Sequence, residues 1–97
     1  MAYGRNANTW STATVNDVLG LPYVKVYSVQ LITGTSAGGV TLSDNTTLVD
    51  KIRINLTTTN DSKLVVFREP ILFPTGIKVT SLVSGGIVIV QFTSERG

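Results

Sequence analysis

Apolar and polar side chains alternate with a period of two along most of the chain, and that period predicts strands. The clearest stretch covers residues 63–92. There Lys63, Val65, Phe67 and Glu69 alternate with Leu64, Val66 and Arg68. Pro70, Pro74 and Gly76 interrupt the alternation, and Ile77, Val79 and Ser81 resume it. Ser84-Gly85-Gly86 then turns the chain into the run from Ile87 to Phe92. β-Branched runs punctuated by Gly, Pro and Ser read as consecutive strands joined by turns. Residues 70–74 read as an apolar link, with Ile71 and Phe73 plugging one end of the core, because leaving either exposed would forfeit about 1.5–3 kcal/mol. Gly76 suits a turn that needs positive φ.

Upstream, residues 23–32 form a strand entered through Pro22, whose missing N–H is tolerated at a first position. Tyr27, Val29 and Leu31 fall on one face. Val24, Val26 and Ile32 fall on the other with Ser28 and Gln30. With apolar residues on both faces, one face is expected to meet a second sheet or a partner subunit. A loop over residues 33–39 leads to a short strand at 40–43 and an Asp-Asn turn at 44–47. Residues 48–56 follow, with Ile52, Ile54 and Leu56 inward and Lys51, Arg53 and Asn55 outward, and residues 57–62 turn again. No segment carries a helical period. About six or seven strands of roughly 4–9 residues predict an all-β fold, a small antiparallel β-sandwich or jelly-roll-like barrel.

Residues 1–21 stand apart. They are small and polar, sustain no period, and carry two aromatics, Tyr3 and Trp10. Asn16-Asp17 suits the cap of one helical turn, which Gly20 and Pro22 would end. The stretch reads as an extended N-terminal arm ahead of a β-domain over residues 22–97. An arm that gains order on a neighbouring surface and a free tail are both open readings.

Composition narrows the chemistry. A chain of 97 residues makes one domain with a modest core, which leaves an obligate oligomer open. Only 14% of residues are charged, against about a quarter in ordinary soluble domains. The net charge of +2 is small, and Lys25, Lys51, Arg53, Lys63, Arg68 and Lys78 are scattered along the strands. No nucleic-acid partner is expected from so diffuse a pattern. With no His and no Cys, the usual zinc, haem and iron–sulfur sites and the histidine-dependent nucleophile systems are excluded. The carboxylates Asp17, Asp44, Asp50, Asp61, Glu69 and Glu95 lie mostly in turns or beside basic residues, which does not suit a catalytic pair across a cleft. Asp44, Asn45 and Asp50 offer oxygens near one turn without the spacing of a calcium loop. The glycine-rich loop at 33–39 lacks the Lys-Ser/Thr ending of a phosphate loop. No enzyme activity, cofactor or metal is therefore expected. No apolar run approaches the ~18 residues of a membrane span, and residues 1–10 have no signal-peptide core, so a soluble product with no membrane partner is expected.

The order of elements carries a resemblance. A first strand leads to Thr33-Gly34-Thr35-Ser36-Ala37, then to Val40-Thr41-Leu42-Ser43-Asp44, and then to a longer strand. The Lys63-Leu64-Val65-Val66-Phe67 strand follows. Next come Ile71 to Val79, close to an apolar-x-Phe-x-Thr-Gly-apolar-x-Val element, and a terminal Gly-apolar-x-apolar hairpin. Over roughly residues 24–93 this resembles small virion proteins of tailed bacteriophages; Pro74 occupies a slot that is Asn-like in the family pattern. The resemblance implies a jelly-roll or β-sandwich capsid decoration (cement) protein. Such a protein is typically a homotrimer on the virion's capsid surface, made in the host cytoplasm and bound to the major capsid protein where capsomers meet. Residues 1–21 lie outside the matched region. Tyr3, Arg5, Trp10, Tyr23 and Tyr27 are the candidate capsid or subunit contacts, since aromatic and Arg side chains dominate such interfaces. The alternatives are a neck, tail or fibre-base module, or a carbohydrate-binding sandwich for host attachment.

Overall fold

The structure is a computed structural model and describes residues 8–94. It is all-β, with eight strands: β1 (Asn8–Thr12), β2 (Val18–Leu19), β3 (Val24–Ile32), β4 (Gly38–Asp44), β5 (Asp50–Leu56), β6 (Ser62–Phe73), β7 (Ile77–Leu82) and β8 (Ile87–Thr93). They form two four-stranded antiparallel sheets, ordered β1-β8-β3-β6 and β2-β7-β4-β5. The pairing is nested: β1 lies on β8, β2 on β7, β3 on β6 and β4 on β5. A long two-stranded ribbon, rolled up and joined through β3·β8 and β4·β7, gives this order. It is the eight-stranded, double-sheet arrangement of a jelly roll.

The core lies between the sheets. Val24, Val26, Val29 and Leu31 of β3 and Val88, Val90 and Phe92 of β8 meet Val40, Leu42, Ile52, Ile54, Ile77 and Val79, all buried. The expected apolar conflict on β3 is resolved by one residue. Val26 pairs with Phe92 and Ser28 with Gln91, so Tyr27 has no counterpart on β8. That bulge shifts the alternation by one position, turning Val24 and Val26 inward on one side of it and Val29 and Leu31 inward on the other. β3 therefore does not split its apolar residues between two partners: Val24, Val26, Val29 and Leu31 share one core, and Ile32 turns outward.

The reading of residues 70–74 as a link also requires correction. β6 continues through Pro70, and Ile71, Leu72 and Phe73 pair with Val26, Lys25 and Val24. Proline is tolerated because residues 67–70 bow out opposite the single residue Tyr27 on an edge strand. Phe73 is buried and Ile71 half-buried. The cap at Asn16-Asp17 is a turn rather than a helical one. Asn16 has φ 72° and donates its N–H to the Val79 carbonyl at 2.7 Å. Within the first 21 residues, 8–12 and 18–19 are the edge strands β1 and β2, and residues 1–7 lie outside the described residues.

Candidate functional site

The two outer faces of the sandwich differ in charge. On the β2-β7-β4-β5 sheet, Lys78, Lys51 and Arg53 stand among inward-facing Ile77, Val79, Ile52 and Ile54, so the face is basic. Arg53 makes the one ion pair recorded among the described residues, 3.0 Å to Asp50, on exposed side chains.

The outer face of the other sheet is different. Beyond the Tyr27 bulge, β3 turns Ser28, Gln30 and Ile32 outward, and β8 turns Ile87, Ile89 and Gln91 outward beside them. β6 contributes Leu64 and Val66, opposite Gln30 and Ser28, and β1 adds Thr9 and Ser11. None of these positions is charged. Lys25 marks one limit of the region, on the far side of the bulge, and Arg68 lies in the bowed segment of β6. Leu64 is 59% exposed and Val66 69%, and Ile87 is exposed as well. Exposed aliphatic side chains grouped without charge are a mark of protein-contacting surface, because each is left in water at a cost that burial would recover.

The end of the sandwich where β2–β3, β4–β5 and β6–β7 turn is tied together by hydrogen bonds. Asp44 is almost fully buried there. Its Oδ2 accepts from the N–H groups of Thr46 (3.2 Å) and Thr47 (3.0 Å) and the hydroxyls of Thr47 (3.1 Å) and Thr75 (2.9 Å). Its Oδ1 accepts from the Thr75 N–H at 3.2 Å. Burial, the largest single influence, pushes this carboxyl upward. The donors together overcome it and hold the carboxyl well below the usual range. Asp44 thus ties the 44–47 turn to the 74–76 turn. Around it, Tyr23 (φ 52°) and Leu48 (φ 59°) are exposed residues held in the left-handed region, which L side chains seldom adopt.

At the opposite end Thr33 donates its hydroxyl to the Thr58 carbonyl at 2.9 Å and accepts the Asp61 N–H at 3.0 Å. Beside it lies an open hollow of about 430 Å³, lined by Gln30, Ile32, Thr33, Asn60, Asp61 and Ser62. The Asp61 carboxyl is lowered by the Thr58 hydroxyl and the Ser62 N–H, and that of Asp50 by the Ser43 hydroxyl and Arg53. Both sets of bonds hold turns or strands together. No three His, Cys, Asp or Glu side chains converge among the described residues.

The residues singled out from sequence disperse. Tyr3 and Arg5 lie outside the described residues. Trp10 is half-buried against the core, opposite Val90. Tyr23 is exposed, its N–H bonded to the Pro74 carbonyl at 2.9 Å. Tyr27 is the half-buried bulge residue. The uncharged face was missed because it comes from alternate residues of four separated strands. The only signal was that Leu64 and Val66 interleave with Val65 and Phe67, so that β6 is apolar on both sides.

Comparison with models of known protein families, with curated proteins and with solved structures found no match.

Proposed function

We propose that the chain is a structural virion protein of a tailed phage, a decoration (cement) protein that seats on the head and ties neighbouring capsomers together. The observation that carries the reading is the uncharged outer face formed by β1, β8, β3 and β6, with Leu64, Val66 and Ile87 exposed on it. The occupant it suits is the protein lattice of the head, against which the exposed aliphatic side chains would gain the burial they lack in water. The strand order supports the same reading, since the resemblance implies a jelly roll. The basic face on the other sheet then points to solvent and keeps the decorated particle soluble.

The test is binding of the purified chain to empty heads, read by co-sedimentation and by the temperature at which the heads rupture. Wild type binds at saturable stoichiometry and raises the rupture temperature. Leu64→Lys/Val66→Lys, which alters exposed positions only, binds at least tenfold more weakly. Wild type that leaves heads undecorated overturns the proposal.

A further inference from the structure

We infer that β6 pairs with β6 of a second copy across a two-fold axis, so that two sandwiches share one eight-stranded sheet. The inference rests on the docking face just proposed, replaces the homotrimer that the resemblance implies with a two-fold pair, and adds how that face reaches a useful size.

The four sheet edges are not alike. β2 is two residues long, β1 carries Asn, Thr and Ser around Trp10, and β5 carries Asp50, Lys51 and Arg53. Short and charged edges are how folded proteins avoid pairing with other chains. β6 is protected at one end by the bow at 67–70 and Pro70 and at the other by Lys63, which leaves Leu64, Val65 and Val66 uncharged between them. Residues 62–66 pair regularly with β3 on one side and present a bare edge on the other. That stretch holds the two most exposed large aliphatic side chains among the described residues, Leu64 and Val66.

A second copy fits this edge. In an antiparallel pair centred on Val65, Leu64 of each copy faces Val66 of the other on the outer face. Lys63 then lies opposite Phe67 at the start of the bow, so the regular contact is residues 64–66, and no like charges stand opposite there. The two Lys63 residues are then about 13 Å apart along the pair, beyond the ~10 Å over which exposed charges interact at moderate salt.

Pairing also enlarges the uncharged face. Five residues along the strands at ~3.3 Å and four strands at ~4.8 Å give one copy roughly 300 Å² of projected face. That is no more than the largest patch of an ordinary monomer. Two copies side by side offer roughly 600 Å², approaching the ~800 Å² per partner of a specific interface.

The chain has no cysteine, so one introduced thiol reports the register. Directly opposed residues lie about 4.5–5.5 Å apart at Cα, within the range a disulfide spans. Under mild oxidation Val65→Cys is expected to form a disulfide-linked dimer at least tenfold faster than Thr9→Cys on the β1 edge. Wild type should show twice the chain mass in sedimentation equilibrium at micromolar to millimolar concentration. Leu64→Lys/Val66→Lys should stay folded, by its Trp10 emission, and show the mass of one chain. A single-chain mass at every concentration, a trimer, or equal cross-linking of the two cysteine variants overturns the pairing. Heads decorated by a monomer would overturn the pairing and leave the decoration reading standing. A wild-type dimer that ignores heads would do the reverse.

Discussion

Asp44→Asn removes the charge at the centre of the turn network while keeping its shape. The carboxylate accepts five hydrogen bonds, four at Oδ2 and one at Oδ1. An amide accepts at one end only, so the best orientation keeps the four and sets an NH₂ against the Thr75 N–H. One bond is lost and the rest cease to be charge-assisted. Neutral bonds contribute about 0.5–1.5 kcal/mol and charge-assisted ones about 1.5–3. Water reaches the exposed threonines and softens the loss, so we expect destabilisation of about 2–3 kcal/mol at pH 7. That is a large share of the ~5–15 kcal/mol available to a domain of this size. The pH dependence separates the charge from simple packing. The folded carboxyl lies below its ordinary value of 3.8, so acid protonates the unfolded chain first. The Asp44 contribution is therefore complete above about pH 5 and is lost as pH falls through 4 and below. By pH 3 the wild type has given up about 1 kcal/mol of it, which an Asn never had. Urea titrations followed by the single Trp10, at pH 7 and pH 3, measure both gaps. A gap that stays constant or widens at pH 3, or one below about 0.5 kcal/mol at pH 7, refutes the role given to the charge.

The same titration tests six further positions. Gly76 has φ 107°, and a Cβ there would run into the Leu19 carbonyl oxygen, whereas Gly85 at φ 77° has open space around it. Gly76→Ala is expected to cost about 2–4 kcal/mol and Gly85→Ala about 1, the conformational strain alone. Phe73→Ala should cost about 3–5 kcal/mol, because Phe73 is fully buried on β6; Val66→Ala, on the same strand but exposed, should stay within about 0.5. The Ser43 hydroxyl, buried between Asp50 (2.7 Å) and Thr80 (3.0 Å), should cost about 1–2 kcal/mol on replacement by Ala. Arg53→Ala, which breaks only the exposed pair with Asp50, should fall within about 0.5 kcal/mol, and added salt should shrink that difference further.

How much of this is legible in the sequence depends on whether a residue's environment is local. The strand around Ile52 and Ile54 is plain, because one face is buried and one wet and the alternation survives. The positive φ at Gly76 is legible for the same kind of reason, as a glycine between a proline turn and a strand. The bulge at Tyr27 is not. It is defined by what β8 lacks opposite it, more than sixty positions away in the chain, and without it the two apolar sets of β3 look like two faces. The run of β6 through Pro70 is hidden by the same bulge, since proline normally ends a ladder. β1 is short and polar, and only its pairing with β8 makes it a strand. The uncharged face is written on four strands at once, which a linear scan does not assemble.

The nested pairing has a consequence for how the chain reaches this state. The β4–β5 hairpin closes over a handful of residues, but β3–β6, β2–β7 and β1–β8 each enclose everything inside them. Loop closure therefore grows costlier with each shell. Sheet formation should begin at the centre and zip outward, at the slow rates of folds dominated by distant contacts. β8 sits between β1 and β3, so a nascent chain emerging from the ribosome cannot complete the first sheet until its last strand is free. Until then β3 lacks its β8 partner and is open on that side to any neighbouring chain.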